Sequence, residues 1–162
     1  MHENSMKLME DFISKYHLQD SIVIDMGSQD INGSYKELFS PDKYIGADIV
    51  QGINVDVIVG SSVWHLIKNV DLIISGQTLE HVEDIEDFMA SISEKLNSGG
   101  LICLIAPTEG PAHNYPIWAG NYSKERMEKV VKRAGFEIID CSVSDVGPCF
   151  DCRCIARKPK KK

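Results

Sequence analysis

Apolar positions along the chain follow two rhythms. Leu8, Met9, Phe12, Ile13 and Tyr16 recur at three- and four-residue intervals, which predicts an amphipathic opening helix over about residues 5–17. Apolar runs near 22–26, 44–48 and 55–59 predict three strands, and Asp71 to Ser75 a fourth. Ser62 to Lys68 reads as a short helix between the third and fourth. Asp84 to Leu96 places Ile85, Phe88, Met89, Ile92 and Leu96 on one helical face, and Gly99-Gly100 is expected to end that helix. Leu101 to Ala106 is apolar throughout, as strands buried on both faces are. Ser123 suits a helix N-cap, with Glu125 in the first turn and Lys132 and Arg133 in the last, so a helix is expected through Val131. Strands over 136–143 and 151–157 follow.

Alternating helices and strands imply an α/β fold with a parallel sheet and helices on both faces, whose ligands sit at the carboxyl ends of the strands. With 162 residues and 43% apolar content, the chain can bury one full core, and no repeat or linker divides it. One domain over 1–157 is expected, followed by a basic solvated tail, Lys158-Pro159-Lys160-Lys161-Lys162.

Charge narrows the partners. Seventeen basic against 24 acidic residues leave a net charge of −7, which argues against nucleic acid and acidic membranes as partners. No apolar run approaches a membrane span. The start, Met1-His2-Glu3-Asn4-Ser5, lacks the features of a secretory signal, and the odd number of cysteines, 5, suggests a reducing cytoplasm. Oligomeric state leaves no signature.

The candidate chemistry begins at the first strand, where Ile22-Val23-Ile24-Asp25-Met26-Gly27 leads into a polar turn. Tyr35-Lys36-Glu37-Leu38-Phe39 is expected to open a helix, so strand, turn and helix N-terminus would form a ligand cradle. Asp48, at the end of the second strand, is placed to bond ribose hydroxyls. A dinucleotide is disfavoured: counting from Gly27, the second and third glycine positions hold Gln29 and Asn32, and Asp30 would repel a phosphate. Asp25 would instead suit a cofactor carrying an ammonium and a sulfonium.

Asp25-Met26-Gly27 with Gly33, Asp48, and Asp71-Leu72-Ile73-Ile74-Ser75-Gly76-Gln77-Thr78-Leu79-Glu80-His81-Val82 resemble class I S-adenosylmethionine-dependent methyltransferases, above all the small type 11 methyltransferase-domain group. Leu96-Asn97-Ser98-Gly99-Gly100-Leu101-Ile102 is similar to that group's turn into the fifth strand, and Ala134-Gly135-Phe136-Glu137 to its late turn. These landmarks keep the family's order from about Ile22 to Phe136. The first motif departs from the commoner Gly-x-Gly-x-Gly spacing. The resemblance implies a Rossmann-like three-layer sandwich around a mostly parallel seven-stranded sheet, its antiparallel last strand (151–157) inserted beside the fifth.

It also implies S-adenosylmethionine as cofactor. Asp25, Gly27, Ser28, Gln29, Asp48, Ile49, Gly76 and Gln77 become candidate cofactor contacts. Ser61 and Ser62 join them, standing where family members often carry an acid or amide near the adenine. Trp64 would either stack on adenine or fill the core. His81, in the Glu-His-Val signature, and His113 and Tyr115, in the loop after the fifth strand, are candidates for meeting the acceptor. His81 would otherwise orient the fourth loop, and the other two would be lid packing. No general base is required where alignment supplies the acceleration.

The expected function is methyl transfer to an oxygen or nitrogen of a small-molecule acceptor. A catalytically silent cofactor-binding module acting with a partner protein is the alternative, and a nucleotide-dependent oxidoreductase ranks third. Cys149, Cys152 and Cys154 are close in sequence but offer only three thiolates, so no metal site is expected, and Cys103 reads as core.

Overall fold

The computed structural model of the chain describes residues 3–31, 33–109, 118–144 and 150–161. Seven strands, β1 (Val23–Met26), β2 (Tyr44–Asp48), β3 (Val57–Ile58), β4 (Val70–Gly76), β5 (Leu96–Pro107), β6 (Glu137–Val143) and β7 (Asp151–Arg157), form one sheet in the order β3-β2-β1-β4-β5-β7-β6. β7 runs antiparallel to both neighbours, and the remaining pairs are parallel. This is the predicted mostly parallel sheet, with 151–157 inserted beside the fifth strand. Strand order reverses between β1 and β4, so the ligand crevice of such a sheet lies above the carboxyl ends of those two strands.

Period-2 alternation on the central strands sorts side chains into two cores. On one face, Leu72 and Ile74 of β4 and Cys103 and Ile105 of β5 pack with Met9, Phe12 and Ile13 of α1 (Glu3–Tyr16). On the other, Ile73, Ile102 and Leu104 pack with side chains of α2 (Ser62–Leu66), α3 (Ile85–Lys95) and α4 (Lys124–Arg133). Ser123 caps α4 by accepting the Arg126 amide at 3.1 Å, and Asp84 caps α3 through Asp87 at 3.0 Å. Trp64 is 3% exposed within the second core, with the Lys95 ammonium 4.7 Å from its ring, so it fills the core and is not an adenine platform.

Four local expectations are corrected. The helix expected after β1 is a single 3₁₀ turn, Lys36–Leu38. Ser40 precedes Pro41, which disfavours helical backbone there, while Tyr35 and Phe39 are buried at either side of the turn. β3 shrinks to Val57–Ile58: Asn54 has φ +66° and its amide bonds Ser28, Ser34 and Tyr44, so Asn54 serves the loop after β1 rather than the ladder. β5 starts at Leu96, with Gly99-Gly100 inside it, because Gly99 N–H donates to Lys158 O (2.8 Å) and Lys158 N–H to Gly100 O (2.9 Å). Lys158 is thereby anchored rather than solvated, and its ammonium also caps α3 by donating to Ser93 O and Leu96 O at 2.6 and 2.8 Å.

Candidate functional site

The carboxyl ends of β1, β2 and β4 bring most of the sequence-predicted residues to one edge of the sheet. Asp48 ends β2 and turns its carboxylate toward the loop after β1: Oδ2 accepts the Gln29 amide at 3.1 Å and Oδ1 the Ile49 amide at 2.7 Å. The carboxylate is half-buried, and each oxygen has a further lone pair for a hydroxyl donor. Ile49 is 67% exposed beside it, with exposed Val50 and Ile53 in the same loop. The β2 tip thus sets a carboxylate beside an exposed apolar surface. Ser28 is buried and donates to Asn54 O at 2.7 Å, which locks the β1 loop to the segment after β2.

Asp25 is oriented differently from its expected role. Its side chain is inside the fold, and its Oδ2 receives the Tyr44 hydroxyl at 2.5 Å, while that hydroxyl accepts the Asn54 amide at 2.8 Å. Burial, only partly offset by the Tyr44 hydrogen bond, pushes the Asp25 carboxyl up from 3.8 to about 7. The Tyr44 and Asn54 bonds thus tie the Asp25 carboxyl to the second strand and the segment after it, beneath the loop.

The two glycines of the crevice have their own intramolecular neighbours. Gly27 has φ +79°, and a Cβ there would run into the Thr78 side chain; at Gly76 it would meet the Tyr35 hydroxyl. Tyr35 is fully buried, and its hydroxyl shares a hydrogen with Ser5 of α1 at 2.6 Å. The bareness of Gly27 and Gly76 is therefore required by Thr78 and Tyr35. Burial raises the Tyr35 phenol above its ordinary range, so it stays neutral.

Just past the tip of β4, Gln77 has φ +57° and donates through Nε2 to Asp151 Oδ1 at 2.8 Å. Asn4 of α1 donates to the other oxygen at 3.0 Å. His81 lies in a 3₁₀ turn (Leu79–His81), with Nε2 3.7 Å from the buried Glu80 carboxylate and its ring edge-on to Trp118, centroids 6.2 Å apart. His113 and Tyr115 lie outside the described residues. Ser61 caps α2 by accepting the Trp64 amide at 3.2 Å, which leaves its hydroxyl hydrogen to donate, and Ser62 is exposed beside it. Among the described residues no cluster of metal-ligating side chains forms, and no helix is long and apolar enough to cross a membrane.

Sequence reading did not find Asp151, Asn4, Tyr35, Tyr44 or Asn54. Their contacts span from 10 to 147 positions, and none stands in a local motif. The only available signal was an acid at the start of a late apolar strand.

The sheet order, with its antiparallel strand inserted next to the edge, is the fold of class I S-adenosylmethionine-dependent methyltransferases. No family model and no curated protein matches the chain. Solved structures do match. A 1,6-didemethyltoxoflavin-N1-methyltransferase from Burkholderia thailandensis, with bound 1,6-didemethyltoxoflavin and S-adenosylhomocysteine, aligns at TM-score 0.73 and 16% identity, over 98% of this chain and 80% of that one. Magnesium protoporphyrin IX methyltransferase from Synechocystis PCC 6803, with bound S-adenosylhomocysteine, aligns at TM-score 0.66 and 12% identity, over 97% and 83%. The N-methyltransferase NodS from Bradyrhizobium japonicum WM9 aligns at TM-score 0.67 and 12% identity, over 95% and 87%.

Proposed function

We propose that the protein is a methyltransferase that binds S-adenosylmethionine at the carboxyl ends of β1, β2 and β4 and transfers its methyl group to an oxygen or nitrogen of a small molecule. The observation that carries this reading is Asp48, a carboxylate at the β2 tip fixed by two backbone amides beside the exposed Ile49. In this fold solved relatives hold S-adenosylhomocysteine. Asp48 would receive the ribose hydroxyls, Ile49 would cover the adenine, and Ser61 and Ser62 would reach its polar edge. The Gly27-Ser28-Gln29 turn and Gly76-Gln77 would border the methionine portion, with Asp25 steadying the turn from below.

When bound, the cofactor supplies an electrophilic methyl on a sulfonium. The chain's own contribution is alignment, since an in-line displacement gains most from fixed geometry. Gln77, held by Asp151, and His81, held between Glu80 and Trp118, would shape the acceptor's seat, with His113 and Tyr115 from the following loop. An imidazole there would also take a proton from a hydroxyl or amine. We place the protein in the cytoplasm, with no nucleic acid or membrane as partner.

One observation favours a second reading. Thr78 packs directly on Gly27 and Tyr35 on Gly76, and a single 3₁₀ turn stands where a full helix was expected after β1. A cofactor-binding module that works with a partner protein would tolerate such a filled crevice. Calorimetric titration with S-adenosylmethionine and S-adenosylhomocysteine, with NAD as control, tests the shared premise. Binding of the first two alone is expected, and binding of NAD alone would sink both readings. Turnover on an acceptor panel, with and without co-purified protein, separates one from the other.

A further inference from the structure

On the face of the sheet under α4, three thiols meet. Cys141 lies on β6, and Cys152 and Cys154 lie two residues apart on β7, so all three point to the same side and share one core with Met127 and Val131 of α4. The Cys141 and Cys152 sulfurs are 3.8 Å apart, and in the strand register Cys141 stands opposite Cys154. All are reduced. Cys152 and Cys154 are fully buried, whereas Cys141 keeps 8% exposure and belongs to the edge strand, which pairs with β7.

We propose that Cys141 and Cys152 form an oxidisable dithiol, a modification site whose co-substrate is a small hydroperoxide. Cys141, the least buried of the three and the one on the edge strand, is the attacking group. Its thiolate is favoured by hydrogen bonding with the Cys152 and Cys154 thiols, which outweighs the opposing penalty of burial, with Lys124 and Lys132 adding a smaller attraction. Attack on the peroxide breaks the O–O bond: Cys141 gains an oxygen as sulfenic acid, and the alkoxide leaves with a proton as an alcohol, or as water from hydrogen peroxide. The Cys152 sulfur then displaces that oxygen as water, giving a disulfide across β6 and β7, so two thiols are oxidised and one peroxide is reduced. The second step is internal and needs no solvent access to Cys152. Closing 3.8 Å to a bond of about 2.05 Å asks for side-chain rotation and a small shift of the edge strand.

The test is a thiol map of the full-length protein after hydrogen peroxide. Remaining thiols are alkylated under denaturing conditions, and the chain is cleaved before Asp140, Asp145 and Asp151 and after Arg153, which separates Cys141, Cys149, Cys152 and Cys154 onto different fragments. The expected product joins residues 140–144 to 151–153, is reversed by dithiothreitol, survives Cys149→Ser and Cys154→Ser, and vanishes in Cys141→Ser. Linkage of Cys141 to Cys149 or Cys154, or full alkylation of Cys141 and Cys152 at peroxide levels that convert Cys103 or Cys149, overturns the proposal. Because the wild-type map alone decides the pairing, a variant that fails to fold does not protect it.

Discussion

Asp151 receives the Gln77 side chain at 2.8 Å, joining the start of β7 to the tip of β4 across 74 positions of sequence. The same carboxylate holds Asn4 of α1. It thereby fixes a left-handed residue, an uncommon and costly conformation for a side chain-bearing position, at the point where cofactor and acceptor would meet. Asp151→Ala releases both amides. In the proposed enzyme it should lower turnover by about tenfold or more through loss of alignment. Affinity for S-adenosylhomocysteine should fall less than turnover, because the ribose contact proposed for Asp48 is on another strand and only the Gln77 border of the methionine portion is disturbed. Equal loss of both, in a variant whose circular dichroism is intact, would remove Asp151 from the acceptor side.

Tyr35 and Gly76 make a second pair whose fit is directly testable. A methyl group at 76 would occupy the place of the Tyr35 hydroxyl, whose side chain is fully buried against α1 and cannot simply swing away. Gly76→Ala should destabilise the fold by about 1–3 kcal/mol, the usual penalty for overpacking. Tyr35→Phe alone removes the Ser5 hydrogen bond. Combined with Gly76→Ala it should recover part of the loss, and urea unfolding of the four-member cycle reads the coupling. Strict additivity would show that the two do not press on each other.

How much of this was legible in the sequence follows from the range of the interactions. The apolar runs of β4 and β5, the apolar face of α3 and the Ser123 cap of α4 are local patterns, and the chain obeys them. Asp48 was legible as an acid at a strand end, where its bond to the Ile49 amide is local, but its bond from Gln29, 19 positions back, was not. The Tyr44 contact of Asp25 was not legible, since nothing near Asp25 in sequence announces that a residue 19 positions on will reach its carboxylate. The helix expected at 35–39 failed because burial of Tyr35 and Phe39 with Pro41 close behind outweighed a weakly helical stretch.

Asp48→Ala tests the cofactor proposal at its strongest point. Loss of a charged acceptor for two hydroxyls should weaken S-adenosylhomocysteine binding by about 1–3 kcal/mol, roughly fivefold to 150-fold in Kd. Asp48→Asn retains one acceptor oxygen and should fall between. Calorimetry with adenosine as a second ligand isolates the ribose contact: the same loss is expected for both ligands. An unchanged Kd in Asp48→Ala would move the ribose elsewhere.

The buried Asp25 carboxyl predicts an unusual pH profile of stability. Its folded value of about 7 lies above the ordinary 3.8, so between those limits the folded chain keeps a proton that the unfolded chain has lost. Stability falls with rising pH wherever the folded state binds more protons. Asp25 therefore contributes nothing below pH of about 4, an increasing penalty up to about 7, and a constant one beyond, at most about 4 kcal/mol for a shift of this size. Asp25→Asn carries an amide oxygen that still accepts the Tyr44 hydroxyl and has no proton to lose. Urea unfolding across that range should give a flatter profile for the variant, with its advantage over the parent growing toward neutral pH. If the two profiles run parallel, the decline arises from other groups and Asp25 is already charged in the fold.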